Sequence, residues 1–224
     1  MKIKIFTKSR KAFCHLKGGI TMNHYFTDNR HLAENRKEIS FRFWCFNVSF
    51  ITDNGVFSKD TVDFGTRVLL NTLHNHENEL GDYVLDMGCG YGVVGIVTKK
   101  TWPEKTVEMV DVNPRAVELS IENAKKNNIE ADIHVSNVYD EVNGNNFSDI
   151  ITNPPIRAGK AVIYKIFEEG YEYLSENGSL WVVIRKQQGA MSAVKKIKEV
   201  FGNCDIIHKE KGYFILKAKK TLTI

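Results

Sequence analysis

The chain has 224 residues and a formal net charge of +4 at pH 7, from 31 Lys and Arg residues against 27 Asp and Glu residues. Its length is near the upper end of a single domain, and hydrophobic residues, 42% of the total, are enough to fill one sizeable core. The modest positive charge suits a polyanionic partner without requiring one. No apolar run approaches the roughly 20 residues that a membrane span needs, and the start lacks the apolar segment of a signal peptide. We therefore expect a soluble, cytoplasmic protein with no membrane partner.

The cysteines and histidines give no sign of a metal site or a disulfide framework. The cysteines lie far apart and form no Cys-x-x-Cys pair: Cys14, Cys45, Cys89 and Cys204. This spacing argues against both a zinc site and a disulfide-stabilised fold. His74 and His76 fall on a predicted helix that points their side chains apart, so they are not spaced as ligands. We therefore predict no metal, and a reducing compartment fits this use of cysteine.

The first 21 residues form a basic segment that ends in the run KGGIT, directly before Met22. Lys-Gly-Gly is what a purine-rich ribosome-binding sequence encodes when it is translated in frame. We therefore predict that Met22 is the native start and that residues 1–21 are an upstream extension. The alternative is that these residues form a basic RNA-binding arm.

Residues 22–80 are interpreted as an N-terminal cap on the core that follows. Aromatic and β-branched residues dominate residues 39–52 with partial alternation, which predicts one or two strands. The turn Asp53-Asn54-Gly55 comes next. In residues 61–73 apolar side chains recur near helical spacing, which predicts a helix.

From residue 81 onward the pattern of strand, glycine-containing turn and helix repeats, and we interpret residues 81–224 as the catalytic core. The predicted strands are 83–87, 106–110, 132–135, 149–152, 180–184, 205–209 and 213–218. The predicted helices are 92–100, 114–127, 161–174 and 190–201. Repeated βα units predict an α/β, Rossmann-like fold with a doubly wound, mostly parallel seven-stranded sheet. The last two strands are joined by a tight turn at Lys211-Gly212, which predicts a closing antiparallel hairpin.

The glycine-rich segment VLDMGCGYG, residues 84–92, predicts a ligand-binding turn. Gly88, Gly90 and Gly92 allow a tight passage from strand to helix and a close approach of the backbone to a ligand. A dinucleotide fingerprint would read GxGxxG and face a pyrophosphate. Here a carboxylate, Asp86, precedes the first glycine by two residues. S-adenosylmethionine (SAM) has an α-ammonium group and no phosphate, so this acid favours SAM over NAD; the alternative is a glycine turn without a ligand.

Two further segments follow predicted strands at the same edge of the sheet. Asp111 ends the next strand roughly 20 residues on, where an acid accepts hydrogen bonds from ribose hydroxyls; alternatively it only caps a helix. Asn137 and Val138 follow the third strand, where the adenine would lie, although an Asn in that position is often only a turn residue.

The motif Asn153-Pro154-Pro155-Ile156 directly follows a predicted buried strand. Its prolines fix the backbone and favour an extended Asn153. The side-chain oxygen of Asn153 and the carbonyl of Pro154 can both accept hydrogen bonds from one planar amino group, which turns the nitrogen lone pair toward a methyl donor. Catalysis is then mostly orientation and charge placement, with no strong base required. A plain turn is the alternative. The predicted cofactor-binding residues are Asp86, Gly88, Cys89, Gly90, Gly92, Asp111, Val112, Asn137, Val138 and Asn153.

These motifs together resemble the RsmC-like family of small-subunit rRNA guanine-N2 methyltransferases in its single-domain form. The resemblance runs from Met22 to the C-terminus. It is carried by the segments DNGVFS at 53–58, VDFGT at 62–66, the loop at 86–92 and NPPIRAGK at 153–160. It implies methyl transfer from SAM to the exocyclic N2 of a guanine, with 16S rRNA or the small ribosomal subunit as partner. It also implies that residues 55–58 and 63–65 line the lip of the pocket.

Substrate contacts are predicted for Phe57 and Asp63 at this lip, and for Arg157 and Lys160 beside the motif. The two basic side chains would grip phosphates or the base; the alternative is that they are ordinary helix-surface charges. We expect a monomer or a weak homodimer.

Two departures from the family pattern bear on the substrate. The chain is too short for the second, degenerate methyltransferase-like domain that some family members use for recognition. Ile156 is aliphatic, whereas enzymes acting on adenine N6 or glutamine amides commonly carry an aromatic residue there, whose stacking is worth about 1–3 kcal/mol per base. The alternatives are therefore adenine-N6 or protein-glutamine methylation, and a SAM-binding RNA factor without turnover.

Overall fold

The computed structural model describes residues 33–221. The predicted extension at 1–21 and the predicted start at Met22 lie outside them. Nine strands form within the described residues: β1 (Lys37–Phe43), β2 (Phe46–Thr52), β3 (Tyr83–Met87), β4 (Thr106–Asp111), β5 (Asp132–Val135), β6 (Phe147–Thr152), β7 (Leu174–Arg185), β8 (Asp205–Glu210) and β9 (Tyr213–Lys219). Five α-helices accompany them: α1 (Phe64–Asn75), α2 (Val93–Thr101), α3 (Pro114–Lys126), α4 (Lys160–Tyr173) and α5 (Ala190–Phe201).

The main sheet has seven strands in the order β5-β4-β3-β6-β7-β9-β8. The first five are parallel, and β9 pairs antiparallel with both β7 and β8. This arrangement confirms the predicted Rossmann-like class with a closing antiparallel hairpin. The order of the strands reverses between β3 and β6, and ligands of such sheets bind in the crevice beyond the carboxyl ends of the strands at this point.

The central strands are buried on both faces, as expected for a parallel sheet covered by helices. Side chains from one face pack with α1, α2 and α3, and side chains from the other face pack with α4 and α5. Alternation along β7 shows this division, because Trp181 and Val183 belong to the first cluster and Val182 and Ile184 to the second. A continuous apolar run in the sequence thus corresponds to a strand with no exposed face.

Helix α3 begins where its sequence signals predict. Asn113 is the N-cap and its side chain accepts a hydrogen bond from the backbone N–H of Arg115 at 3.1 Å. Pro114 occupies the first turn, where its missing N–H costs nothing. Helix α1 begins at Phe64, three residues later than the spacing predicts, because Asp63 caps it by accepting from Thr66 N at 3.1 Å.

The hairpin β1–β2 is separate from the main sheet and attaches to α3 through two asparagines spaced one turn apart. Asn123 accepts from Ile51 N at 2.6 Å and donates to Ile51 O at 2.9 Å. Asn127 pairs in the same way with the backbone of Ser49. Residues 49 and 51 face the same side of β2, so the asparagine amides satisfy an edge that would otherwise expose unpaired backbone groups.

A buried ion pair fixes the turn after this hairpin. Asp53 is 2% exposed, and its Oδ2 atom accepts from Arg115 Nε at 3.0 Å and Nη2 at 2.9 Å. Asn113 Nδ2 adds a hydrogen bond to Gly55 O at 3.1 Å. The turn at residues 53–55 is therefore held against the start of α3. None of the helices within residues 33–221 is long and apolar enough to cross a lipid bilayer.

Replacing Asn123 with Ala should lower the free energy of unfolding by about 2–4 kcal/mol, because backbone groups of Ile51 and Tyr91 lose their partner in a buried setting. Urea unfolding followed by circular dichroism measures this change. Glu118→Ala, at an exposed position of the same helix, is the matched control and should stay within about 0.5 kcal/mol of the parent. An equal effect of both substitutions would contradict the attachment by asparagine.

Candidate functional site

A cavity of about 490 Å³ opens at the carboxyl ends of β3, β4 and β6, where the order of the strands reverses. This volume is in the range of sites for small molecules and cofactors. Segments far apart in sequence contribute to its walls. The lining residues discussed below are Phe57, Asp63, Thr66, Asp86, Gly88, Cys89, Gly90, Tyr91, Asp111, Val112, Ser136, Val138, Asn153, Pro154, Pro155, Ile156, Arg157, Arg185, Gln188 and Tyr213.

The glycine loop between β3 and α2 forms one wall of the cavity. Gly88 has φ 76° and Gly90 has φ 58°, and a Cβ on either would meet no atom within 4 Å. Both therefore take a backbone conformation that favours glycine, beside open space that a ligand can approach. Gly92, also predicted to bind the cofactor, does not line the cavity; its Cβ would lie 2.6 Å from Ser120 Oγ, so it serves the packing of α2 against α3.

Asp86 lies beneath this loop and is 2% exposed. Its Oδ2 atom accepts a hydrogen bond from Gly95 N at 2.8 Å. Burial raises the pKa of Asp86 to about 7, the hydrogen bond from Gly95 opposes the rise, and the nearby charge of Asp111 adds to it. A positively charged ligand group in the cavity would restore the ionised form.

Asp111 ends β4 and connects the two turns that form the cavity floor. Its Oδ2 atom accepts from Gly90 N at 2.9 Å and its Oδ1 atom accepts from Asn113 N at 2.9 Å. Burial raises the pKa of this carboxyl, and the backbone hydrogen bonds work in the opposite direction. Val112, predicted as a cofactor contact, lies next to it and is 41% exposed.

These observations fit SAM as the occupant of the cavity. Two carboxylates with raised pKa values, Asp86 and Asp111, line the cavity, and SAM carries both an ammonium group and ribose hydroxyl donors. Open space beside Gly88 and Gly90 allows a ligand to touch the backbone. Cys89 is buried beside them and burial raises the pKa of its thiol, so this cysteine contributes as an apolar wall rather than as a nucleophile.

The turn after β5 reaches the cavity with one of its two predicted residues, Val138, and with one that was not predicted. Val138 lines it, with a φ of 58°, and so does Ser136, which the sequence does not single out. The side chain of Asn137 is exposed and donates to Asp140 Oδ2 at 2.9 Å, outside the lining. The predicted contact of Asn137 with the adenine is therefore not supported by this geometry, because a polar partner three residues on captures the amide.

Asn153 follows β6, and its amide is held in one orientation. Its Nδ2 atom donates to Thr66 Oγ1 at 3.0 Å and to Asp63 Oδ2 at 3.3 Å. A carboxylate accepts hydrogen bonds and cannot donate them, so the NH2 end must face Asp63 and the carbonyl end must face away. Oδ1 is the amide atom that remains for a ligand in the cavity.

Asp63 therefore acts first as a support for Asn153, although it also lines the cavity at the predicted position. The same oxygen, Oδ2, caps α1 by accepting from Thr66 N. Close packing is required here, because a Cβ on Gly65 would lie 2.9 Å from Asp63 Oδ2 and 2.6 Å from the ring of Tyr213. The VDFGT segment thus begins α1 and places the Asp63 carboxylate within hydrogen-bond distance of the Asn153 amide.

The other predicted residues of the motif divide between the cavity and the surface. Pro154 is buried and Pro155, Ile156 and Arg157 are less so, and all four line the cavity. Lys160, in contrast, begins α4 as an exposed residue and does not line it. The predicted substrate contact of Lys160 is not supported, because the intervening turn at Ile156–Ala158 and Gly159 carry it away from the opening.

Phe57 lies at the lip of the cavity, as predicted, with 55% of its surface exposed. Tyr91 and Thr66 also line the cavity and belong to segments already singled out for other residues. Burial raises the pKa of the Tyr91 hydroxyl, which donates to Ser58 O at 3.3 Å. The remaining lining residues missed from the sequence include Arg185, Gln188 and Tyr213, which belong to no local motif.

One cluster outside the cavity has the side chains of a possible metal site. Glu108, Asp132 and His134 bring ligand atoms within 4.8 Å of one another. Protein groups already contact these atoms: His134 Nε2 lies 3.0 Å from Glu108 Oε1, and Tyr83 Oη donates to Glu108 Oε2 at 3.0 Å. The cluster is a hydrogen-bonded network joining β4 and β5, and the absence of a metal stays a prediction.

Asp86→Asn should stabilise the protein by about 2–4 kcal/mol at pH 8 and have little effect at pH 4. The carboxyl has a pKa of about 7 in the fold against an ordinary value of 3.8, so the folded state resists an ionisation that the unfolded state allows. The resulting loss of stability grows as pH rises between these two values. Urea unfolding at both pH values measures it, with the exposed Glu130→Gln as control. A pH-independent effect would contradict this account.

Comparison with known proteins identifies the family of this chain. A family model described as the methyltransferase small domain matches residues 47–217. The protein is 45% identical over 199 residues to the uncharacterized protein YbxB of Bacillus subtilis, covering 88% of this chain and 98% of that one. It is 34% identical over 173 residues to the ribosomal RNA small subunit methyltransferase C of Vibrio cholerae, covering 74% of this chain and 48% of that one.

Solved structures lead to the same family. The T. thermophilus 16S rRNA N2 methyltransferase RsmC, in complex with AdoMet (SAM) and guanosine, matches with a TM-score of 0.74 and 25% identity, covering 83% of this chain and 50% of that one. A methyltransferase from Pyrococcus furiosus shares the fold, with a TM-score of 0.61 and 19% identity over 70% of this chain and 83% of that one. The predicted family and cofactor are confirmed: this chain belongs to the methyltransferase small domain family and is an RsmC-like class I methyltransferase that uses SAM.

Proposed function

We propose that this SAM-dependent methyltransferase modifies the exocyclic N2 of a guanine in RNA, with 16S rRNA or the small ribosomal subunit as its partner. The observation that carries the proposal is the fixed amide of Asn153, whose NH2 end is held by Asp63 and Thr66 so that Oδ1 is left for an acceptor amine. The chain spans about half the length of the Vibrio cholerae relative, so the target is proposed for this chain on its own geometry.

When bound, SAM would supply a methyl group whose bond to the positively charged sulfur breaks as the bond to nitrogen forms, so that the sulfur leaves as a neutral thioether. The protein's part is to hold the amino group of the substrate. Asn153 Oδ1 and the carbonyl of Pro154 would accept its two hydrogens, which leaves the nitrogen lone pair directed away from both acceptors. Pro154 has no N–H to compete for these positions. No base is needed before the nitrogen reacts, because its surplus proton leaves to water afterwards, and the contribution to rate is orientation.

Asp86 and Asp111 would hold the cofactor side of the cavity. Their raised pKa values favour binding of a cation and of hydroxyl donors, which match the ammonium group and the ribose of SAM. Ile156 follows the prolines and lines the same cavity. Its aliphatic side chain can pack against a purine without the stacking that an aromatic residue would supply, which supports guanine N2 over adenine N6.

The two most informative relatives support the acceptor. The Vibrio cholerae protein is named as a small-subunit rRNA methyltransferase, and the T. thermophilus structure is titled as a 16S rRNA N2 methyltransferase holding guanosine. The formal charge of +4 is compatible with a polyanionic substrate.

Labelling purified protein with methyl-labelled SAM tests the proposal. Undermethylated 16S rRNA and 30S subunits are offered in parallel with ribosomal protein, followed by mass spectrometry of nucleosides and peptides. N2-methylguanosine is the expected product. N6-methyladenosine or methylglutamine would replace the proposed acceptor, and no labelling at all would favour a factor without turnover.

Asn153→Ala should lower kcat at least about 100-fold while the Kd for SAM changes less than about threefold, because the amide orients the acceptor and not the cofactor. Thr66→Val, which removes one acceptor from Nδ2 but keeps the side-chain shape, should lower kcat about tenfold. Single-turnover kinetics and calorimetry measure the two quantities.

Lys195→Ala, at a position with an 82% exposed side chain on α5, is the control for both variants and should match the parent. An Asn153→Ala enzyme with the parent's rate would remove Asn153 from the mechanism.

A further inference from the structure

A surface of three cations and two aromatic rings extends from the mouth of the cavity. We call it the cation–aromatic patch, and it consists of Phe64, Arg67, Arg185, Lys211 and Tyr213. Arg67 lies 5.4 Å and Lys211 lies 4.9 Å from the centre of the Phe64 ring. Arg185 lies 5.7 Å from the centre of the Tyr213 ring, and the two rings are 5.7 Å apart. All three cations are exposed and both rings are partly exposed.

The fold assembles the patch from three distant segments. Phe64 and Arg67 lie at positions i and i+3 at the start of α1, so their side chains share one face of the helix. Arg185 ends β7 and pairs in register with Tyr213 at the start of β9. Lys211 lies in the preceding turn, where it and Gly212 have φ values of 44° and 82°, as a two-residue hairpin of this kind requires.

The charges of the patch are not neutralised by ion pairs. Within residues 33–221, no carboxylate lies within 4.0 Å of Arg67, Arg185 or Lys211. Other basic side chains behave differently. Several pair directly with acids: Arg36 with Glu122, Lys37 with Asp60, Arg115 with Asp53, Lys165 with Asp140, and Lys196 with Glu168. A cluster of three unneutralised cations beside one opening is an electrostatic attraction for a polyanion.

The patch is continuous with the position of the reacting amine. Tyr213 and Arg185 line the cavity as well as forming the patch. Asp63, which holds the amide of Asn153, directly precedes Phe64 in the chain. The carboxylate of Asp63 is therefore engaged with Asn153 and the start of α1, while the three cations are exposed.

Aromatic rings and guanidinium planes next to free cations match the two parts of a nucleotide. Bases stack on aromatic side chains and on arginine, and phosphates bind cations. A guanine whose N2 reaches Asn153 must leave its stack, so the nucleotides beside it lose a neighbour and need another surface. The patch lies where such a neighbour would emerge from the cavity.

We propose that the cation–aromatic patch binds the single-stranded nucleotide next to the target base, so that the catalytic domain recognises RNA with its own surface. This inference rests on the proposed function for the identity of the substrate. The partner is unpaired RNA and not an acidic peptide, because a peptide of Asp and Glu offers no planar group to the rings.

The test removes the two charged patch residues that do not line the cavity, in the double variant Arg67→Ala and Lys211→Ala. Binding of a fluorescein-labelled single-stranded RNA oligonucleotide is followed by anisotropy over a range of salt. We expect Kd to rise about tenfold and the slope of log K against log salt to become shallower by about 1.4, from two lost phosphate contacts. Lys195→Ala with Lys198→Ala on α5 removes the same charge and should leave both values unchanged.

Turnover supplies the second readout. KM for the RNA should rise in the patch variant by about the same factor as Kd, while the rate with free guanosine and the Kd for SAM stay at parental values. Phe64→Leu, which keeps an apolar side chain in α1 but removes the ring, should weaken RNA binding about tenfold with no change in the salt slope. Polyglutamate should compete poorly with RNA.

The outcomes separate this inference from the proposed function. An unchanged Kd and salt slope in the patch variant would overturn the patch, whether or not the parent methylates RNA. Weaker RNA binding by the variant, together with a parent that methylates peptides and not RNA, would overturn the proposed acceptor and support the patch as an RNA surface. An equal loss of RNA affinity in the control variant, Lys195→Ala with Lys198→Ala, would show a general charge effect and overturn the patch.

Discussion

The orientation of one side-chain amide determines what this site can do. The two ends of an asparagine amide have nearly the same shape but opposite hydrogen-bonding character, so its orientation depends on its neighbours. Here a carboxylate, Asp63, and a hydroxyl, Thr66, both accept from the NH2 end of Asn153. A substrate amine is a donor, so it can be bound only by the carbonyl end of the amide, Oδ1, which Asp63 and Thr66 do not contact. If the amide were reversed, its NH2 group would face the substrate amine, and two donors cannot form a hydrogen bond with each other.

This dependence makes the N-terminal segment part of the proposed catalytic apparatus. Asp63 caps α1 and Thr66 lies in its first turn. This helix precedes the first βα unit and follows a hairpin attached to α3 by Asn123 and Asn127. The buried pair of Asp53 and Arg115 anchors the connection between them. Removing one partner of such a pair leaves an uncompensated charge and costs about 3–5 kcal/mol, so the arrangement resists drift of α1 relative to the sheet.

Local sequence patterns predicted most elements and the centre of the site, because a parallel sheet brings the residues after each strand to one edge. Asp86, Asp111 and Asn153 meet there for that reason. Two kinds of residue were beyond such reasoning. A side chain with a polar neighbour in the same turn, such as Asn137, forms a hydrogen bond with that neighbour and does not line the cavity. Residues such as Tyr213 reach the site only because β9 inserts between β7 and β8, a pairing that no local spacing encodes.

The charge of its carboxylates also bears on which ligand the cavity would bind. Asp86 and Asp111 lie close together, and burial raises the pKa of both, so their ionisation opposes folding. A ligand that brings positive charge relieves this penalty, and binding then stabilises the fold. A pyrophosphate in the same place would add negative charge to two carboxylates and be repelled. The glycine loop resembles that of dinucleotide-binding proteins in backbone shape, but these acids favour a cationic cofactor over a pyrophosphate.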